Sequence, residues 1–222
     1  MQRISTFTLG YAFALGTLVL ANISIPKSKM DGWTFFNRSL DFEMTQRNYN
    51  PSAGLNATLC VTAAFKHSEN GAHELTKVFF YRNISSTVWP IANVTMKFLS
   101  TVNTSRYNTV ESKINRSFYG YSLPPPHWRF LYTEVNCTVV KVLSARPGRI
   151  GVSKRADSKS ELREINKYCE LWVAQWTQWK RGSYKQAEAS ANCSAAFELM
   201  CNTTTVYNVS EAKYCGPNLI KS

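Results

Sequence analysis

The chain has 222 residues, with 26 Lys and Arg against 14 Asp and Glu for a net charge of +12, and 44% of it is hydrophobic. That is enough apolar material for one substantial core, and no stretch along it looks like an interdomain linker. The basic balance draws anionic partners, but no nucleic-acid-binding motif accompanies it, so a nucleic-acid partner is not expected.

Residues 1–21 begin with Met1, Gln2 and Arg3 and continue from Ile4 to Ala21 without a charge. They predict a signal peptide cut after Ala21, where Val19 and Ala21 meet the small-residue rule for cleavage, with Ser24 as the alternative. Gly10, Gly16 and several threonines make a poor membrane span, and no later run approaches the ~20 apolar residues a spanning helix needs. The expectation is a secreted, extracellular protein whose residues 22–222 form a single domain and act as a monomer.

Eleven Asn-X-Ser/Thr triplets, far above chance, fit passage through the secretory pathway. Occupancy is expected at Asn37, Asn56, Asn83, Asn93, Asn103, Asn115, Asn202 and Asn208. Six cysteines in an oxidising compartment predict three disulfides. There is no Cys-X-X-Cys pair, and His67, His73 and His127 are not in ligand spacing, so no metal and no cofactor are expected.

From residue 40 to 143 short apolar alternations are punctuated by turn residues. The apolar segments are Phe42 and Met44, Leu59 to Phe65, Val78 to Tyr81, Val94 to Phe98, Phe118 to Tyr121, and Phe130 to Leu143 taken as one strand. Breaks fall at Asn50-Pro51, Glu69 to Gly71, Ser85-Ser86 and Pro124 to Pro126. A long antiparallel meander with open edges aggregates, so closure into a barrel is predicted. From about Tyr184 to Cys201 the composition shifts to Ala, Gln, Glu and Lys, a helix signal. The stretch 144–168 carries Arg146, Arg149, Lys154, Arg155, Lys159, Arg163 and Lys167. Its plain reading is a solvated hairpin tip, and the alternative is a site for sulfated glycans or an acidic partner protein.

Cys169, Glu170, Leu171 and Trp172 open a tail that also holds Cys193, Cys201 and Cys215, with Cys60 and Cys137 upstream. This arrangement resembles the tick salivary lipocalins, close to the tick histamine-binding proteins, and is most specific over residues 130–215. The resemblance implies an all-β, eight-stranded antiparallel lipocalin-type barrel with a C-terminal helix packed outside. It also implies that Trp33, in Asp31-Gly32-Trp33 before the first strand, plugs the closed end.

Spacing leaves disulfide pairing open among 15 connectivities, except that Cys193 and Cys201, about 12 Å apart on a helix, cannot bridge each other there. The resemblance implies Cys60 with Cys215 and Cys137 with Cys193, leaving Cys169 with Cys201. If Cys137 and Cys169 point outward to meet the tail, strand alternation turns their neighbours inward. Tyr168, Glu170 and Trp172 would then face the lumen from one strand, and Phe130, Tyr132, Glu134, Asn136, Thr138 and Val140 from the other. Carboxylates among aromatics need a cation, and an organic ammonium supplies one, with charge-assisted hydrogen bonds to the acids and cation–π contact with the rings.

The candidate ligand residues are therefore Glu170, Trp172, Tyr168, Glu134, Tyr132 and Thr138. The resemblance points the same way, toward capture of a biogenic amine such as histamine or serotonin, with an eicosanoid such as a leukotriene as the second ligand class. A protein-binding inhibitor of host complement or chemokines is the third reading. No Gly-X-Ser-X-Gly, His-Glu-X-X-His or glycine-rich phosphate loop is present, so an enzyme is not expected.

Overall fold

A computed structural model of the protein describes residues 27–69, 72–100, 105–143, 167–175 and 187–215. The predicted signal peptide, Asn103 and all but the last two residues of the basic stretch 144–168 lie outside them.

A short helix comes first. In α1 (Gly32–Phe36) the Asp31 side chain accepts from the Thr34 N–H at 2.8 Å, satisfying one of the free N–H groups of the first turn. Phe35 and Phe36 are fully buried, packing 4.8 and 4.7 Å from the Phe42 ring, so the helix floors the barrel. Trp33 sits beside this floor, edge-on to Phe98 at 5.5 Å and to His73 at 5.1 Å.

Eight antiparallel strands follow: β1 (Asp41–Arg47), β2 (Leu59–Glu69), β3 (Glu74–Arg82), β4 (Ile91–Ser100), β5 (Tyr107–Phe118), β6 (Trp128–Thr133), β7 (Cys137–Val142) and β8 (Cys169–Gln175). Each pairs with the next, and β1 pairs with both β8 and β2, which closes the barrel. The lumen is an aromatic and aliphatic core that includes Phe36, Phe79, Phe98, Trp128, Phe130 and Trp172. No helix among the described residues is long and apolar enough to cross a membrane.

The stretch predicted as one strand from Phe130 to Leu143 is a hairpin. β6 ends at Thr133, Glu134 to Asn136 make the turn, and β7 starts at Cys137. The Glu134 N–H donates to the Cys137 carbonyl at 3.0 Å across this turn, which contains neither glycine nor proline. A register shift between Phe130 and Tyr132 also breaks the alternation of β6.

Outside β6, β7 and β8 lies α2 (Ala191–Met200), shorter than the predicted helix. Its N-cap Ser190 accepts from the Cys193 N–H at 3.2 Å. Its buried face, Cys193, Ala196 and Phe197, packs on Tyr132, Val139, Leu171 and Val173 as a second core. Disulfides Cys137–Cys193 and Cys169–Cys201 fix its two ends to the barrel, and Cys60–Cys215 ties α3 (Ala212–Cys215) to β2. These are the pairs the resemblance implies, and each closes a loop whose cross-linking is worth about 2–4 kcal/mol.

The tail also fills the seam of the barrel. Toward the end of β1, where β2 no longer pairs with it, β9 (Tyr207–Asn208) pairs with Gln46 and Arg47 instead. Val209 then bridges the seam, donating to the Thr45 carbonyl and accepting from the Cys60 N–H.

Candidate ligand site at the barrel mouth

β8 is regular, so alternation holds along it. Cys169, Leu171 and Val173 face α2, whereas Glu170, Trp172 and Ala174 face the lumen side. Glu170 is 4% exposed. One carboxylate oxygen accepts from the Trp172 indole N–H at 2.9 Å, and the other accepts from the Tyr49 hydroxyl. Burial pushes the Glu170 carboxyl above its ordinary value, and the bonds from Tyr49 and Trp172 together with the nearby Arg47 charge only partly offset it. The Tyr49 hydroxyl is in turn pushed well up, first by burial and then by Glu170.

Arg47 is the cross-strand partner of Glu170. A bulge at Thr45 places it on the lumen side, because Met44 pairs with Trp172 and Gln46 with Leu171, so Arg47 faces inward where simple alternation from Met44 predicts outward. The side chain is 0% exposed. Its Nη2 donates to the Thr58 carbonyl at 3.1 Å and the Thr58 hydroxyl at 2.7 Å, and its guanidinium lies 5.8 Å from the Tyr49 ring centre.

These groups border a cavity of about 40 Å³, with Trp128, Tyr121 and the Pro124 to Pro126 segment across from Glu170. The space admits about three waters. The Trp172 ring forms the inner wall, 5.3 Å from Trp128 and 6.1 Å from Phe79. Tyr168 stands just before β8 and packs edge-on against Tyr49 at 5.8 Å, so it supports the site from behind that ring.

The other three candidates lie elsewhere. Tyr132 and Glu134 are outside the barrel under α2, because the bulge in β6 and the hairpin turn reverse the face that an unbroken strand would give them. Glu134 accepts there from the Tyr132 hydroxyl at 3.1 Å and from the Ser190 hydroxyl, and it pairs with Lys29 at 3.7 Å. Thr138 shares the face of Trp172, but its hydroxyl bonds to the Tyr132 carbonyl at 2.9 Å and to Thr133 at 2.8 Å, away from the cavity lining. Asn136 is in the turn, half-exposed, not in the lumen.

Arg47 and Tyr49 went unrecognised in the sequence because they lie more than 120 residues from Glu170 and the bulge hides their register. The signal available was a basic residue three positions past an apolar alternation. Glu134, Cys137 and Cys193 are the one group among the described residues close enough together for a metal ion, but both cysteines are consumed in a disulfide.

The sequence profile of the tick histamine binding protein family matches residues 25–150. This chain belongs to the tick histamine-binding protein family. The match spans the barrel through β7, so in this family member the Glu170-Leu171-Trp172 element lies beyond the matched span. No curated protein matches the sequence.

Proposed function

We propose that this histamine-binding family member captures a small biogenic amine, histamine or serotonin, at the mouth of its barrel. The observation that carries the reading is Glu170, a buried carboxylate walled by Trp172 and Tyr49. Arg47 is near this acid but donates to Thr58 and not to the carboxylate, so an organic ammonium can take the acid directly while the two rings supply cation–π faces. The Tyr49 hydroxyl occupies the carboxylate oxygen that an ammonium would take. The cavity is smaller than an aromatic amine, so binding moves Tyr49 and the segment from Tyr121 to Pro126 outward. The three disulfides keep the barrel itself fixed while this happens.

The role is sequestration: a secreted, non-enzymatic protein that removes a host mediator and so dampens inflammation and haemostasis. Secretion after cleavage at Ala21 and glycosylation belong to the same proposal. Asn37, Asn56, Asn83, Asn93, Asn115, Asn202 and Asn208 are exposed or half-exposed, which supports the latter.

An eicosanoid is the second reading, and Arg47 favours it, since a lipid carboxylate set against the guanidinium would leave Glu170 protonated. Calorimetric titration with histamine, serotonin and a leukotriene separates the two, because the ligands differ in sign of charge. Binding of either amine, without the leukotriene, supports the proposal, and binding of the leukotriene alone replaces it.

A further inference from the structure

Arg47 is held at the mouth with more than half of its N–H donors unused. Backbone pairing fixes it on both edges, to Glu170 on β8 and to Tyr207 on β9, and its side chain has no exposed surface. Nη2 is spent on Thr58, whereas Nε and Nη1 meet no acceptor among the described residues. Both Arg47 and Glu170 line the cavity. A buried N–H without an acceptor is destabilising, and more so on a charged group. Glu170 does not relieve it, since it accepts from Tyr49 and Trp172 and from neither of these Arg47 donors. What these two donors lack is an acceptor, and a plain ammonium offers none.

The charges lead to the same requirement. An ammonium brought to Glu170 would make two cations against one carboxylate in a buried site, with Arg47 opposing the ligand. An acceptor on the ligand, above all an anionic one, turns that opposition into a second contact.

We propose that Arg47 is a second anchor, donating its Nε and Nη1 N–H groups to a hydrogen-bond acceptor on the same ligand whose ammonium Glu170 holds. The site therefore selects amines that carry an acceptor group over plain amines. This inference rests on the amine reading above. Acceptor chemistry has two sources, a neutral oxygen or a carboxylate, and the probes separate them.

The test is a calorimetric comparison of tryptamine, which has no acceptor oxygen, with serotonin, which adds a hydroxyl, and tryptophan, which adds a carboxylate. Indole-3-acetate, a carboxylate without an amine, completes the set. Wild-type protein is expected to bind serotonin or tryptophan at least about tenfold more tightly than tryptamine, a difference of about 1.4 kcal/mol. Arg47→Met should abolish that advantage, and Arg47→Lys should restore part of it. If tryptamine binds as well as the other amines, or the advantage survives in Arg47→Met, the second anchor is wrong and the amine reading stands. Binding of indole-3-acetate alone overturns both. Should the variants fail to fold, the Arg47 Nε–H resonance of the wild-type protein decides: it shifts with serotonin or tryptophan and not with tryptamine, and equal response to all three refutes the anchor.

Discussion

Gly32 lies directly beneath Phe130, so close that a Cβ built on it would stand 2.1 Å from Phe130 Cε2. The contact sets α1 onto the floor of the barrel, where Phe35 and Phe36 then meet Phe42. Phe130 is itself stacked on Phe98 at 6.1 Å, so its ring has little room to retreat. Gly32→Ala is expected to destabilise the protein by about 1–3 kcal/mol through overpacking. Urea denaturation measures it, and an unchanged midpoint would mean that the helix is not seated there.

Lys77 is a buried base near the same floor. Its ammonium donates to the carbonyl of Leu40 at 3.2 Å and lies 4.4 Å from the Phe42 ring centre, with no exposed surface. Burial lowers its pKa from 10.5 to about 7, Asp41 opposing the shift and Arg38 adding to it. Between those two values the unfolded chain binds the proton more strongly than the folded one. Stability contributed at Lys77 is therefore lowest below pH 7 and is gained as pH rises toward 10.5. The gain over Lys77→Met should be about 2 kcal/mol between about pH 7.5 and about pH 9.5. Urea midpoints of the two proteins measured across that window test it, and parallel curves would contradict it.

Glu134 caps a different structure. It links Tyr132, Lys29 and the N-cap Ser190 of α2 beneath the outer helix. Glu134→Ala should lower stability by about 1–3 kcal/mol, since it leaves the Tyr132 hydroxyl without its acceptor, and should leave amine affinity unchanged. Thermal denaturation and calorimetry on one preparation separate the effects. A large loss of affinity at constant stability would return Glu134 to the ligand site.

The Cys60–Cys215 bond anchors the tail that fills the seam beside Arg47. Replacing both cysteines by serine is expected to remove about 2–4 kcal/mol of stability and to speed hydrogen exchange at Val209, whose N–H crosses the seam to Thr45. Unchanged exchange there would show that the seam holds without the disulfide.

What the sequence disclosed follows from where the strands are regular. On β8 the outward cysteine at 169 was enough to place Glu170 and Trp172 inward, because no bulge intervenes before Gln175. The barrel, the outer helix and the disulfide partners were equally legible, the last through the resemblance. On β6 and β7 the same rule failed for Tyr132 and Glu134, since the turn at Glu134 to Asn136 carries no turn-forming glycine or proline and the β6 bulge leaves no mark in composition. Arg47 and Tyr49 were hidden by a second bulge, at Thr45. Alternation is a local rule, and one inserted residue inverts everything beyond it.

Glu170 is the residue on which the account turns. Calorimetric titration of wild-type protein and Glu170→Gln with histamine and serotonin tests it most directly, because glutamine keeps the shape and removes the charge, with one of the two acceptor oxygens exchanged for a donor. The tighter-binding amine should weaken by about 1.5–3 kcal/mol in the variant. Wild-type affinity should fall on acidification at pH values above the usual carboxylate range, as burial raises the Glu170 pKa, and the variant should not show this fall. Equal affinity of the two proteins for the amine, with the same pH dependence, would contradict the assignment of Glu170 as the group that holds the ligand.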